Sequence, residues 1–213
     1  MYTALTLFVF IGLTANAHAD LHQPCHPPNM TGTMIVMSLK GEVKALGTFT
    51  YDSTGNKLRF KSNDSHPLNT SEHLDLLMFF DEGVFYEIDS KNHSCEKKSL
   101  QSTLHPLEIP SDATFLAALN PGSATVEGEG IKVNVWRGYM PGTKDYYSMS
   151  VTMGCLPVSI LYFSESSPLL FSNMDIESEI KDPDLLLVPS ICEGHPLEET
   201  PEGTVHSFLN EFM

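Results

Sequence analysis

The chain has 213 residues, of which 12 are Lys or Arg and 27 are Asp or Glu, so its formal net charge is −15. Such an acidic surface repels a phosphate backbone and has no basic patch for an anionic membrane, which argues against both as partners. Hydrophobic residues make up 41% and charged residues 18%, a composition typical of a folded chain that buries its own core.

The first 19 residues, MYTALTLFVFIGLTANAHA, carry no charged side chain. An apolar run from Leu5 to Leu13 leads to Ala17-His18-Ala19, which places small residues at −3 and −1 of a cleavage site before Asp20. The pattern predicts a signal peptide over 1–19 and a secreted, extracellular protein, although the usual Lys or Arg near Met1 is missing. The alternative is a buried N-terminal helix or strand.

Short β-strands between turn signals dominate the mature chain. The pattern predicts loops at 52–56 and 81–83, where Gly55 and Gly83 permit the turns of two hairpins. Residues 131–136 alternate with period two, which predicts a strand with Ile131, Val133 and Val135 on one face. The predicted strands are 33–39, 47–51, 57–60, 73–80, 84–88, 131–136, 146–153, 157–163 and 169–176.

Helix signals are scarce. Residues 111–119 combine a capping Ser111 with one apolar face, which predicts a short helix, and 175–181 predicts one further turn. We therefore expect a single mostly β domain over 20–194, built as a large curved antiparallel sheet or open barrel. We expect residues 195–213 to form an acidic C-terminal tail, either solvated or with weak attraction for divalent cations.

Four cysteines and four N-x-S/T sequons mark the mature chain. An even number of cysteines in a secreted chain predicts disulfides, and the spacing leaves all three pairings open. The sequons predict an N-glycosylated, exposed region. The cysteines are Cys25, Cys95, Cys155 and Cys192, and the sequons begin at Asn29, Asn63, Asn69 and Asn92.

Motifs of catalysis and of tight metal binding are missing from the sequence. There is no G-x-S-x-G, H-E-x-x-H, Walker or G-x-G-x-x-G motif, so we expect no enzyme. A metal site at His22, Cys25 and His26 competes with a disulfide at Cys25, which we favour. The loop at 52–56 has too few spaced carboxylates for an EF-hand, so the metal ligands stay unknown.

An ordered set of short motifs resembles the ependymin-related family, and within it the ependymins of teleost fish. The resemblance covers about residues 25–194. The motifs are CHPP at 25–28, the run 76–80, EGVFYEID at 82–89, NHSC at 92–95, EIP at 108–110, GCLPV at 154–158 and ICEG at 191–194.

That resemblance implies a secreted brain extracellular-fluid glycoprotein associated with neural plasticity and axon regeneration. It implies homodimerisation, calcium as cofactor through sialylated N-glycans, and disulfides pairing Cys25 with Cys155 and Cys95 with Cys192. It also implies a curved antiparallel sheet, similar to lipoprotein carriers, around an apolar pocket for a hydrophobic small molecule or lipid.

The segment LDLLMFF at 74–80 is apolar at consecutive positions, so both faces of that strand require cover. One face could pack in the core while the other lines a pocket, although a solid core is the commoner use of such a run. With the resemblance, we predict a carrier pocket lined by Leu76, Met78, Phe80, Phe85 and Val135. The alternative is a calcium-responsive matrix or adhesion glycoprotein without a true pocket, for which the extracellular matrix is the partner.

Overall fold

A computed structural model describes residues 23–63, 74–100, 107–140, 144–164 and 168–198, and the predicted signal peptide lies outside these ranges. Within them, no helix is long and apolar enough to cross a membrane. Twelve strands of the described chain form one sheet. Their bounds are β1 Met30–Ser38, β2 Val43–Asp52, β3 Lys57–Ser62, β4 Asp75–Phe79, β5 Val84–Asp89, β6 Ser94–Ser99, β7 Thr114–Leu119, β8 Val133–Tyr139, β9 Tyr146–Thr152, β10 Pro157–Phe163, β11 Leu169–Glu177 and β12 Leu197–Glu198.

The sheet consists of two antiparallel meanders joined at one seam. Strands β1 to β6 each pair with the next in sequence, as do β7 to β11, and β1 pairs with β11 to join the two series. The two-residue strand β12 runs parallel to β6 and lies within 195–213, the range predicted as the acidic tail. The predicted class, a mostly β antiparallel sheet with little helix, is confirmed.

The two predicted hairpins form, but in the first of them Asn56, with a φ of 47°, takes the positive φ instead of Gly55. Between β2 and β3, the Asp52 carboxylate accepts hydrogen bonds from the backbone N–H groups of Thr54 and Gly55, both at 3.0 Å. Between β4 and β5, Gly83 adopts a φ of 65°, which a side chain would oppose. Strand β6 was not predicted, because charges at 96–98 interrupt any apolar alternation in Ser94–Ser99.

The helix predicted at 111–119 is wrong, because Thr114–Leu119 form the edge strand β7. Phe115 lies opposite Trp136 of β8, with the two rings packed edge to face at 5.5 Å. Pairing with β8 and this ring contact override the helix propensity of the Ala and Leu residues. The alternating and helical patterns cannot be told apart over so short an apolar run.

The helical turn predicted at 175–181 is also wrong, because β11 continues through Glu177. Pairing with β1 shifts register between Thr31 and Thr33, and Asp175 adopts a φ of 51° at that irregularity. A bulge, rather than a helix, therefore accommodates the polar residues here. Helical geometry within the described chain is limited to two 3₁₀ turns, Pro183–Leu186 and Ser190–Cys192.

One face of the sheet, here called the inner face, is buried against itself. Its side chains come from strands of both meanders and form one cluster with residues of 107–109. No helix of the described chain covers this face, so the sheet must curve until its two halves cover each other. The largest side chains of the cluster are Tyr51, Phe49, Phe60, Phe85, Trp136 and Phe171, all almost fully buried.

The opposite, outer face of β4 and β5 is buried by the segment 178–198, which we call the C-terminal strap. Leu77 and Phe79 of β4 pack there with Leu186 and Cys192 of the strap. Because Leu76 and Met78 of the same strand face the inner cluster, β4 is buried along its whole length. The consecutive apolar residues of this strand therefore have the cover on both faces that their pattern predicts.

A buried ion pair ties the C-terminal strap to the sheet. The Arg59 guanidinium of β3 donates to both oxygens of the Asp75 carboxylate of β4, at 2.8 and 2.9 Å. Its remaining nitrogen donates to the carbonyl of Leu185 in the strap, at 2.9 Å. The two charged side chains are 13% and 8% exposed, so this fork–fork pair is removed from water.

Replacing Arg59 with Met leaves the Asp75 carboxylate buried without its cation. We expect the free energy of unfolding to fall by about 3–5 kcal/mol, measured by urea unfolding with the disulfides intact. The matched control is Lys181→Met, which removes an ion pair with Glu177 whose side chains are more than half exposed. That variant should unfold at the wild-type urea concentration. Equal midpoints for both variants would contradict a role for the Arg59–Asp75 pair.

Candidate functional site

The two disulfides each hold one buried cluster. Cys25, in the arm before β1, is bonded to Cys155 in the turn after β9, with Cα atoms 5.9 Å apart. Cys95 of β6 is bonded to Cys192 of the C-terminal strap, with Cα atoms 5.2 Å apart. This is the interleaved pairing that the family resemblance implied. Cys25 packs on the inner cluster, whereas Cys95 and Cys192 belong to the outer one.

Four of the five side chains predicted to line a pocket meet on the inner face. Leu76, Met78 and Phe85 are almost completely buried in the inner cluster, and Phe80 packs against it. Met78 lies opposite Phe85 on β5 and opposite Leu58 on β3, so apolar side chains form a continuous row across three strands. Leu76 and Met78 are completely buried and Phe85 is 2% exposed, so these side chains fill the inner cluster.

Val135 lies on the other face of β8, contrary to the prediction. Its neighbour Trp136 is opposite Met149, and both are in the inner cluster, whereas Val135 is opposite Ser150. Ile131, predicted to lie on the same face as Val135, is 45% exposed. Alternation identified two faces, but the burial of the large Trp136 ring decided which one turned inward.

Three inner-face residues carry polar atoms without a hydrogen-bond partner. They are the indole N–H of Trp136, the hydroxyl of Tyr147 and both amide atoms of Asn173, each of them buried. Unpaired buried polar atoms are rare in folded proteins, since each forfeits its hydrogen bonds with water. The inner face therefore combines apolar surface with unused hydrogen-bonding capacity.

The Tyr147 ring is positioned by a glycine on the neighbouring strand. Gly138 lies opposite Tyr147, and a Cβ at Gly138 would fall 2.2 Å from the tyrosine hydroxyl. Burial, and to a smaller degree the charge of Asp112, raises the pKa of Tyr147 far above its usual value. The hydroxyl thus stays protonated and remains a hydrogen-bond donor.

A second buried tyrosine, Tyr51, is fully paired. Its hydroxyl donates to the Glu108 carboxylate at 2.5 Å, and the flanking residues Leu107 and Ile109 are buried in the inner cluster. Burial is the largest cause that raises the pKa of Tyr51, followed by the hydrogen bond to Glu108 and its charge. This bond fastens the segment 107–109 to the inner face of β2.

An ion triad lies on the inner face of β5 and β6. The Lys98 ammonium contacts Glu87 at 2.7 Å and Glu96 at 2.5 Å. Lys98 is opposite Phe85, and Glu96 is opposite Glu87. Burial alone would lower the pKa of Lys98, but the hydrogen bonds and charges of the two glutamates outweigh it, so the pKa is raised. Sequence reasoning missed this triad because only the β5–β6 register brings its members together.

The predicted glycosylation sites differ in their surroundings. Asn92 is exposed in the turn before β6, where its backbone N–H and side-chain amide bind the Asp89 carboxylate and lower the pKa of Asp89. Asn29 is half-buried, and its side-chain oxygen accepts from the N–H and hydroxyl of Ser53. Asn69 and most of the Asn63 sequon lie outside the described residues.

No group of three or more His, Cys, Asp or Glu side chains converges on a common point within the described ranges. The residues beyond 198, which include further glutamates, lie outside those ranges. His26, considered as a metal ligand in the sequence, instead lies 3.9 Å from the Glu108 carboxylate. The bonding of Cys25 to Cys155 removes its thiolate from any metal site.

The relatives found by comparison with known proteins bear one family name. The Ependymin family model matches residues 68–192. The chain is 49% identical to Ependymin-2 of Salmo salar over 99% of its length and 96% of that protein. It is 51% identical to Ependymin of Esox lucius over 92% of both chains.

Among solved structures, an uncharacterized conserved protein from Thermus thermophilus has a similar fold. Its TM-score is 0.50 at 8% sequence identity, with 81% of this chain and 91% of that one covered. At this identity the similarity concerns the arrangement of the sheet and carries no information on function.

The two buried tyrosines provide a test of the unpaired hydroxyl. Tyr147→Phe removes a hydroxyl that has no partner, so we expect the free energy of unfolding to stay the same or rise by about 1 kcal/mol. Tyr51→Phe is the matched control, because it deprives Glu108 of a hydrogen bond and should lower stability by about 1–3 kcal/mol. Chemical unfolding compares the two, and an equal loss for Tyr147→Phe would show that its hydroxyl is paired in solution.

Proposed function

The chain belongs to the ependymin family, and on that premise we propose that it is a secreted glycoprotein that carries hydrophobic small molecules or lipids. The observation that supports this proposal is the composition of the inner face. Apolar side chains surround the unpaired polar atoms of Trp136, Tyr147 and Asn173. An amphipathic ligand would cover the apolar surface and satisfy those polar atoms at once.

Secretion is part of the proposal and rests on independent features. The signal-peptide pattern of 1–19 and two disulfides both favour an oxidising, extracellular compartment. The exposed Asn92 would present its glycan to solvent, while Cys95, three residues later, is buried in the outer cluster. In this proposal the carrier acts in extracellular fluid of the brain, where its ligand would serve neural plasticity and axon regeneration.

The competing function is a calcium-responsive matrix or adhesion glycoprotein, for which the inner face is simply a closed core. The two functions differ in whether a ligand reaches that face. Homodimerisation, contact with the extracellular matrix and the absence of enzymatic activity stay predictions under either function.

The single tryptophan of the chain, Trp136, lies in the inner cluster and reports ligand entry. We expect stearyl alcohol brominated at mid-chain, a quencher that acts near contact, to reduce Trp136 emission saturably in lipid-stripped protein. Unbrominated stearyl alcohol should compete with it without quenching. Emission that does not change, or that falls linearly without saturation, would contradict the carrier function and favour the matrix protein.

Calcium binding, in our proposal, resides on the sialylated N-glycans rather than on carboxylate side chains. The absence of a converging carboxylate group within the described ranges supports this assignment. We expect sialidase treatment to abolish the heat of calcium binding in isothermal titration, because it removes the glycan carboxylates and leaves the polypeptide unchanged. Undiminished heat after treatment would move the site onto Asp and Glu side chains.

A further inference from the structure

Lys98 is placed at the end of a row of apolar side chains. Tyr51, Leu58, Met78, Phe85 and Lys98 lie opposite one another in turn on β2, β3, β4, β5 and β6. Directly opposite residues have Cβ atoms about 5 Å apart and share one face of the sheet. The ammonium therefore continues the apolar row of the inner face, at the strand next to the sheet edge.

The Lys98 side chain is buried together with two carboxylate partners of unequal exposure. The residue is 6% exposed, although lysines are almost never buried unless they are paired. Its partners differ: the Glu87 side chain is 29% exposed, whereas that of Glu96 is 53% exposed. Glu87 is thus the less exposed partner of Lys98, and more than half of the Glu96 side chain is in contact with water.

We propose that Lys98 binds the negatively charged head group of an amphipathic ligand whose apolar part lies along Phe85 and Met78. The proposal rests on the carrier function and specifies its ligand class, a carboxylate or similar anion on a hydrocarbon chain. A lysine ammonium has three N–H donors, and the two glutamates account for two of them. The anion accepts the third, or replaces Glu96, whose side chain is 53% exposed and can turn into water.

The charges of the triad are consistent with exchange of Glu96 for a ligand anion on Lys98. Two carboxylates face one ammonium, so the group carries a net charge of −1. A ligand anion that displaces Glu96 into water leaves Lys98 paired with Glu87 and the ligand, and the desolvated charge stays neutralised. In a chain of net charge −15, attraction of an anionic ligand to this site is strongest when the ligand replaces Glu96, because the intact triad is itself negative.

The neighbouring Lys97 provides the matched control. It lies on the same strand, but its ammonium is 5.5 Å from the ring centre of Tyr86, which packs in the outer cluster. The two lysines thus point to opposite faces, one residue apart. A non-specific attraction of the protein for anions would depend on both lysines, whereas a head-group site depends on Lys98.

The test compares two ligands that differ in their head group, mid-chain brominated stearate and the equally brominated stearyl alcohol, by quenching of Trp136. In the wild type, we expect stearate to bind about tenfold more tightly than the alcohol, as for a hydrogen bond to a charged group. Lys98→Met should remove this preference, so that stearate and the alcohol bind with equal affinity. Lys97→Met should retain the preference.

Glu96→Gln should change the stearate affinity in the opposite direction, and it keeps Lys98 paired with Glu87. Because it removes the competing carboxylate, stearate affinity should rise several-fold while that of the alcohol stays the same. If Lys98→Met fails to fold, Glu96→Gln still decides whether the head-group site exists. Equal binding of the two ligands by the wild type, or an unchanged stearate affinity in Glu96→Gln, would overturn the head-group site and leave the carrier function standing. If neither ligand quenches Trp136, both proposals fail.

Discussion

The structure depends on the need to cover both faces of β4. Leu76 and Met78 point to one side of this strand and Leu77 and Phe79 to the other, so neither side can be left to water. Burial of a large apolar side chain stabilises a fold by about 1.5–3 kcal/mol, and here that gain is available on two sides. The inward curvature of the sheet and the attachment of the C-terminal strap are the two responses to this one constraint.

Each of the two buried clusters contains a disulfide that joins distant parts of the sequence. The Cys25–Cys155 bond spans 130 residues and anchors the N-terminal arm to the second meander. The Cys95–Cys192 bond spans 97 residues and holds the strap over β5 and β6. Bonds that close such long loops remove much conformational freedom from the unfolded chain, by roughly 4–5 kcal/mol in the chain-entropy account. Because the two loops interleave, together they enclose the chain from Cys25 to Cys192.

Buried cations are placed differently on the two faces of the first meander. On the outer face, Arg59 donates to both oxygens of Asp75 and to the carbonyl of Leu185. On the inner face, Lys98 has two carboxylate partners, Glu87, which is 29% exposed, and Glu96, which is 53% exposed. The planar guanidinium suits a permanent bidentate pair, whereas the ammonium accepts partners from several directions. The first is a structural clamp, and the second is suited to exchange.

The sequence by itself determined the β class, two hairpins and the two-sided burial of β4, because these follow from local composition, turn residues and period-two alternation. Tertiary structure decided what depends on contacts between distant strands. Edge pairing with β8 made residues 114–119 a strand, and burial of Trp136 turned Val135 outward. The triad of Lys98 likewise exists only through the β5–β6 register, since alternation names two faces of a strand but cannot say which neighbour each will meet.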